Sequence, residues 1–138
     1  MSAKKHLMNS ACLAAVACAL TSVAAYANPT GGTVTSGSAT ITAPNGKTVD
    51  ITQSTGQAVI NWQSFGIGTG ETVDFIQPTA TSVTLNRVTG NDPSAIFGTL
   101  TANGIVMLVN PDGVVFGRGS HVDVGGLVAT TADIKDGD

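Results

Sequence analysis

Short runs of β-branched residues separated by single turns fill the sequence from Asn103 to Thr131. The turns carry residues such as Asn110-Pro111-Asp112-Gly113 and Gly125-Gly126, which are the residue types that bend or reverse a chain. Strands this short, joined by corners this regular, do not fit the hairpins of a β-sandwich. The pattern favours a chain that coils along an axis, with each coil built from a few short strands.

A hexapeptide repeat supports the coiling interpretation. Three segments follow the pattern Gly-x-x-apolar-Asp-apolar, namely Gly46–Ile51, Gly70–Phe75 and Gly119–Val124. Their glycines lie 24 and then 49 residues apart, close to one period and two, and a period of about 20 to 50 residues is typical of solenoids and propellers. Since the unit contains only strands and turns, we predict a parallel β-helix with three short strands per coil. The middle copy is expected near Ser94–Leu100, where the pattern is not kept.

Composition indicates an all-β chain. The sequence holds 17 glycines but a single glutamate, Glu71, and no window shows the apolar spacing of an amphipathic helix. Thr and Val are common, and both favour pleated surfaces. The predicted strands are Ala39–Thr42, Thr48–Thr52, Ala58–Trp62, Thr72–Ile76, Ser82–Val88, Ile96–Leu100, Ile105–Val109, Val114–Phe116, His121–Val124 and Leu127–Thr131.

Alternation within the repeat predicts which side chains face water. The apolar residues of each copy flank an aspartate, so they point inward while Asp50, Asp74 and Asp123 point outward. Stacked coils would bring Asp50 and Asp74 to about 4.8 Å from each other. Their repulsion, roughly 1 kcal/mol in water, leads us to expect imperfect register there. At the N-terminal end, Thr33–Thr42 is expected to fold over the first coil as a cap, because open sheet edges invite pairing with other chains.

The first 27 residues have the organisation of a Sec signal peptide. Lys4 and Lys5 precede the unbroken apolar run Ala11–Leu20, and Ala25-Tyr26-Ala27 fits a cleavage site. Such a run is about half the roughly 20 residues that span a bilayer. Lipoprotein cleavage at Cys18 is a weaker alternative, because the alanine three residues before it is a poor match. We therefore expect the Sec machinery to export the chain.

The mature domain is predicted to cover residues 28–138. Both cysteines of the chain precede it, so it forms no disulfide and relies on packing and backbone pairing. Its formal net charge is −5, because the chain carries −3 and Lys4 and Lys5 leave with the signal peptide. Nucleic acid is excluded as a partner, since phosphate binding needs clustered Lys and Arg.

Catalysis and metal binding find little support in the residues. His121 stands beside Ser120, but adjacent strand residues point to opposite faces, so the two side chains do not meet as a hydrolytic pair would. With no cysteine and one histidine in the mature domain, transition-metal ligation is not expected. We predict no enzymatic activity, no cofactor and no metal site.

The segment Asn110-Pro111-Asp112-Gly113 has two interpretations. As a corner it is fully explained: Pro presets φ at the second turn position, Asn and Asp side chains cap backbone groups, and Gly accepts positive φ. A recognition role is the alternative, and physical reasoning on the residues alone leaves both open.

Several ordered motifs resemble the N-terminal secretion domain of filamentous haemagglutinin-type exoproteins, the TPS or haemagglutination activity domain of two-partner secretion. The residues that carry this resemblance are Asn61, Trp62, Phe65, Gln77, Pro78, Asn86, Arg87, Asn110, Pro111, Gly113, Gly125 and Gly126. The resemblance as a whole covers most of residues 30 to 132. The family's hallmark turn reads Asn-Pro-Asn-Gly, so Asp112 departs from it by adding a charge.

The resemblance implies a right-handed parallel β-helix that carries a secretion signal. After Sec export to the periplasm, a cognate outer-membrane β-barrel transporter with POTRA modules would bind the domain. The chain would then cross the membrane extended and fold outside, as a secreted or cell-surface protein. Asn110, Pro111, Asp112 and Gly113 become candidate transporter-recognition residues, and the other motif residues are expected to be structural.

The C-terminal end shows no element that would close the stack, so we expect the chain to be the front of a longer solenoid or a truncated copy of one. Host-surface or self contacts would then belong to downstream repeats. A competing hypothesis is that the short chain itself acts as a surface adhesin or ligand-binding β-solenoid. An aromatic ladder that would line a groove is not evident, since the chain has one Trp, one Tyr and four Phe.

Overall fold

The computed structural model describes residues 28–133, and in this part the chain forms only β-strands. The predicted signal peptide at residues 1–27 lies outside the described residues. Within the described part, no helix is long and apolar enough to cross a membrane. The strands are β1 Thr33–Ser36, β2 Ala39–Asn45, β3 Thr48–Gln53, β4 Gln57–Trp62, β5 Thr72–Ile76, β6 Val83–Val88, β7 Ser94–Ile96, β8 Thr99–Ala102, β9 Ile105–Val109, β10 Val114–Phe116, β11 His121–Asp123 and β12 Gly126–Thr130.

The strands form three sheets that run along one axis. Sheet 1 has the order β1-β4-β6-β9-β12, sheet 2 has the order β11-β8-β5-β3-β2, and sheet 3 pairs β7 with β10. All pairings between strands from β3 onward are parallel, so each pass of the chain adds one strand to sheet 1 and one to sheet 2. Sheet 3 takes strands only from the last two passes, so the predicted three strands per coil are present only there. The result is a β-solenoid of about four coils, which confirms the predicted fold class. Coil 1 contains β3 and β4, coil 2 contains β5 and β6, coil 3 contains β7 to β9, and coil 4 contains β10 to β12.

The N-terminal strands cap the first coil. β1 pairs antiparallel with β4, and β2 pairs antiparallel with β3. Because these strands occupy the edges that coil 1 would otherwise expose, they block pairing with other chains at that end. The cap predicted at Thr33–Thr42 is therefore confirmed.

The repeats stack in register on sheet 2. Asp50 in β3 is aligned with Asp74 in β5. Asp123 in β11 is aligned with Thr101 in β8, the strand that lies between β5 and β11. The expectation that the aspartates would disturb the register was wrong. Two physical reasons explain this: Thr101 Oγ1 donates a hydrogen bond of 2.8 Å to Asp74 Oδ1, and both carboxylates lie at the surface, where water weakens their repulsion.

The middle copy of the repeat occupies residues 97–102, which overlap the position predicted near Ser94–Leu100, since Leu100 is aligned with Val73 and Thr101 with Asp74. The single strand predicted over Ile96–Leu100 is wrong, because β7 ends and β8 begins on either side of a corner at Gly98. A Cβ atom on Gly98 would lie 2.3 Å from the Gly68 carbonyl oxygen. Close backbone packing therefore requires glycine and breaks the strand.

Inward-facing apolar side chains form one continuous core along the axis. Trp62 and Phe65 pack edge to face, with ring centroids 5.6 Å apart and an interplanar angle of 77°, a geometry that aromatic pairs favour. The other core residues come from all three sheets and from the chain leading into β5. They are Val49, Ile51, Ile60, Ile67, Val73, Phe75, Val88, Ile96, Leu100, Val106 and Leu108.

Candidate functional site

The candidate recognition residues Asn110 to Gly113 form the corner between β9 and β10. The Gly113 amide donates to the Asn110 carbonyl oxygen at 2.9 Å, and the Asp112 amide donates to Asn110 Oδ1 at 3.0 Å. Gly113 has a φ of +115°, in the region that favours glycine. The turn chemistry predicted for this segment is confirmed.

The four corner residues differ in exposure. Asn110 is fully buried, and its Nδ2 donates to the Asp92 carbonyl oxygen at 2.9 Å and to Ser94 Oγ at 3.0 Å. Pro111 and Asp112 are exposed. Asn110 thus holds the corner against the start of β7, while Pro111 and Asp112 are the side chains that a partner can reach. The departure from the family turn falls on an exposed position.

The motif residues Trp62 and Asn86 connect neighbouring coils inside the solenoid. Trp62 Nε1 donates to Asn86 Oδ1 at 2.9 Å, and Asn86 Nδ2 donates to the Met107 carbonyl oxygen at 3.2 Å. Asn86 is fully buried, so these bonds satisfy polar groups that water does not reach. These bonds connect coils 1, 2 and 3 inside the solenoid.

Gln77 performs a similar function at the corner after β5. Its backbone N–H donates to Asn103 Oδ1 at 2.7 Å, and Asn103 Nδ2 donates back to the Gln77 carbonyl oxygen at 2.7 Å. The Gln77 side chain is buried, whereas Pro78 beside it is exposed. This reciprocal pairing extends the hydrogen-bond ladder of sheet 2 beyond its last strand residues.

Asn61 and Arg87 lie on the outer side of sheet 1, where they are aligned with each other. Arg87 Nε donates to Asp133 Oδ1 at 3.0 Å, and the Asp133 side chain is 66% exposed, so this ion pair contributes little to stability. Asn61 Oδ1 is buried and has no hydrogen-bond partner among residues 28–133.

Gly125 and Gly126 connect β11 to β12 directly above the preceding coil. Both amides point at the Gly104 carbonyl oxygen, at 2.9 and 3.3 Å. A Cβ atom on Gly125 would lie 2.8 Å from that oxygen, which is closer than carbon and oxygen tolerate. Glycine is therefore required at this corner for close approach of the two backbones.

Sequence reasoning missed the buried polar residues Gln53, Thr84 and Ser94. Their signal was a polar side chain at an inward position of an alternating strand or at its end, which the alternation pattern treats as a break. Among the described residues, no group of three or more His, Cys, Asp or Glu is placed to hold a metal ion. His121 is exposed and is aligned with Thr99 on sheet 2.

Comparison with known proteins shows the family. The TPS secretion domain model matches residues 25–138. A Heme/hemopexin-binding protein from Haemophilus influenzae strain Rd is 47% identical over 108 residues, which cover 78% of this chain and 12% of that protein. A second Haemophilus influenzae protein of the same name is 43% identical over 99 residues, covering 72% of this chain and 11% of that protein.

A solved structure agrees with the family match. The secretion domain of HMW1 from Haemophilus influenzae has a TM-score of 0.75 and 37% sequence identity, over 79% of this chain and 29% of that one. This chain belongs to the TPS secretion domain family, as its motifs indicated. The family places it among secreted or cell-surface exoproteins. The chain spans about an eighth of the length of the curated relatives.

Proposed function

We propose that this domain carries the secretion signal of an exoprotein. A cognate outer-membrane transporter recognises it in the periplasm through POTRA modules, after the Sec machinery has delivered the chain. In this scheme residues 1–27 are the Sec signal peptide, and the domain begins at residue 28. The observation that supports the proposal best is the match of the TPS secretion domain over residues 25–138.

The architecture also supports a role in starting the folding of the solenoid at the cell surface. Antiparallel β1 and β2 close one end of coil 1, and each later coil pairs parallel with the coil before it. A coil that has formed thus offers a template edge for the next one. Stacking of this kind needs no disulfide, and both cysteines of the chain precede residue 28.

Recognition is assigned to the exposed half of the corner. Pro111 and Asp112 project from a turn that Asn110 and Gly113 hold in shape. An extended chain can add to a sheet edge of a partner by β-augmentation, and the corner sequence then marks where the transporter engages. Asn110 and Gly113 have a separate role, because they shape the corner when the chain folds after export.

Secretion of the chain with and without its transporter tests this function. Changing Pro111 and Asp112 together to alanine should lower the secreted amount about tenfold, the effect of losing roughly 1.4 kcal/mol of binding. Asp112→Asn, which restores the family turn, should secrete at least as well as the parent. Secretion that does not depend on the transporter would overturn the proposal.

An exposed Pro-Asn pair elsewhere in the chain provides the control. Pro44 and Asn45 are exposed at the end of β2, just before the turn to β3, and Asn45 Oδ1 accepts from the Lys47 amide at 2.8 Å. Changing both to alanine should leave secretion unchanged. If the two double variants behave alike, the corner at residues 110–113 has no specific role in recognition.

Binding of haem or hemopexin is a property that the curated relatives carry in their names. The segments that match this chain cover only 12% and 11% of those proteins. For this protein, we propose that any ligand or surface binding belongs to the larger exoprotein and that the domain provides its export. Haem or hemopexin binding by the purified chain alone would favour the alternative of a ligand-binding solenoid.

A further inference from the structure

Three of the buried polar side chains inside the solenoid are linked to one another by hydrogen bonds. They are Gln53 at the end of β3, Gln77 just after β5, and Thr84 in β6. Their exposed fractions are 4%, 5% and 0%. Since buried polar groups cost free energy unless they are hydrogen-bonded, their partners show what they do for the fold. We call this set the polar ladder.

The polar ladder connects coils 1 and 2. Gln77 Nε2 donates to Thr84 Oγ1 at 3.0 Å, and the Thr84 hydroxyl donates to Gln53 Oε1. Gln53 Nε2 in turn donates to the Thr55 carbonyl oxygen at 2.7 Å and to the Val83 carbonyl oxygen at 3.2 Å. Thr84 acts as both donor and acceptor, so it fits only between two amides held at these positions.

The same ladder reaches coil 3 through Gln77. Its Oε1 accepts from the Gly104 amide at 2.8 Å, and its Nε2 donates to the Ile105 carbonyl oxygen at 3.0 Å. A Cβ atom on Gly104 would lie 2.7 Å from Gln77 Oε1, so the glycine gives the amide room. Backbone groups of coil 3 therefore depend on a side chain of coil 2.

Apolar packing alone does not separate the correct register from one that is shifted by two residues. A shift of one residue turns every inward side chain outward, but a shift of two keeps inward residues inward. In the observed register Thr84 is aligned with Val106 and Asn86 with Leu108. A two-residue shift of β9 would replace Val106 by Leu108 beside Thr84, which exchanges one apolar contact for another.

We propose that the polar ladder determines the register in which coils 1 to 3 stack. In a shifted coil the Gly104 amide and the Ile105 carbonyl oxygen move away from Gln77, and buried polar groups lose their partners. A single buried polar residue sets register in coiled coils for the same reason. The proposal concerns folding of the solenoid and does not rest on recognition by the transporter.

Disulfide trapping reports the register directly. In a full chain whose two native cysteines are replaced by alanine, Val83→Cys with Ile105→Cys marks the observed register, because these residues are aligned. Val83→Cys with Met107→Cys marks one shifted register, and Leu85→Cys with Ile105→Cys marks the opposite shift. Aligned positions are about 4.8 Å apart, within disulfide reach, whereas diagonal ones are about 7 to 8 Å apart and beyond it.

The three reporter pairs are oxidised after refolding from urea, and the fraction of each disulfide is measured by mass spectrometry. Thr84→Val, which removes the hydroxyl and keeps the shape, should raise the shifted disulfides about tenfold over the parent, or about 1.4 kcal/mol between registers. Thr84→Ser retains the hydroxyl and should stay at the parent level. Leu100→Ala controls for stability, because it destabilises the apolar core of coil 3 without touching the ladder.

Gln77→Met, measured in the same way, gives a second route to the comparison, since it removes all the bonds of that side chain at nearly constant length. If the polar ladder only stabilised the fold without selecting a register, the fraction of shifted disulfides would follow the loss of stability. Leu100→Ala would then give as much shifted disulfide as the ladder variants. The proposal is overturned if neither Thr84→Val nor Gln77→Met gives more shifted disulfide than Leu100→Ala.

Discussion

The outer faces of sheets 1 and 2 differ in chemistry, although the same coils build both. On sheet 2 the outward residues are mostly polar: Thr48, Asp50, Thr72, Asp74, Thr99, Thr101, His121 and Asp123. On sheet 1 many outward residues are apolar and stand in columns: Val59, Leu85, Met107 and Val128 in one, Val83 and Ile105 in the other. Alternation of apolar and polar residues therefore defines an inside only for sheet 2.

Stacking explains how sheet 1 keeps apolar outer side chains from water. Leu85 is aligned with Val59 of coil 1 and Met107 of coil 3, and it is only 8% exposed, although it does not belong to the core cluster. Val128 in coil 4 is aligned with a neighbour on one side only, and it is 44% exposed. In a parallel solenoid, neighbours in a column bury one another sideways without a covering layer.

The largest expected effect is a loss of stability, and it distinguishes a residue buried in the core, Leu100, from one buried within an outer column, Leu85. Leu100→Ala on sheet 2 should lower the free energy of unfolding by about 3 kcal/mol or more, because it leaves a cavity in the core. Leu85→Ala should cost about 1 to 2 kcal/mol, because water fills the space and no cavity remains. Urea unfolding measures both. Equal losses would mean that a covering layer, and not the column, buries Leu85.

A smaller effect is expected at Asn86, one of the inward polar positions of sheet 1. Asn86→Leu should cost about 2 kcal/mol, since Trp62 Nε1 and the Met107 carbonyl oxygen lose a buried partner. The midpoint of urea unfolding and the Trp62 fluorescence report the change. Asn91→Leu, in an exposed turn, is the control and should stay within about 0.5 kcal/mol of the parent. An Asn86→Leu variant as stable as the control would show that the inner side of sheet 1 tolerates an apolar residue there.

The smallest expected effect concerns the carboxylates on sheet 2. Asp50→Asn should raise stability by less than about 1 kcal/mol at low salt, because it removes the repulsion with aligned Asp74. Adding salt should reduce the gain by screening. Asp123→Asn should change little, since its aligned neighbour is the uncharged Thr101. Thermal unfolding at two salt concentrations tests this pair, and identical shifts for the two variants would contradict it.

Local turn and strand chemistry made much of the fold predictable. The strands Thr72–Ile76, Ile105–Val109 and Val114–Phe116 were predicted with the bounds that the structure has, because turn residues flank each of them. The prediction of one strand over Ile96–Leu100 was wrong, because the chain turns at Gly98. Glycine is required there because a side chain would collide with the Gly68 carbonyl oxygen of the coil below. That contact is distant in sequence, so a local pattern does not contain it.

The candidate site was predictable to the same extent. The sequence indicates a turn at residues 110–113, and its Pro and Gly follow the rules for a corner. Burial of Asn110 depends on Ser94 and the Asp92 carbonyl oxygen, which precede it by most of a coil. The sequence does not show that these groups lie beside Asn110. It therefore does not distinguish Asn110, which holds the corner, from the exposed Pro111 and Asp112.

The sequence by itself determined the all-β class, the coiling period, the capping segment and the family motifs, because each of these depends on residue types at short spacing. The tertiary structure decided the register of the coils, the lateral burial of the apolar columns on sheet 1, and the division of the Asn110–Gly113 corner into support and exposed surface. These features depend on contacts between successive coils, where one coil provides the partners that the next coil lacks.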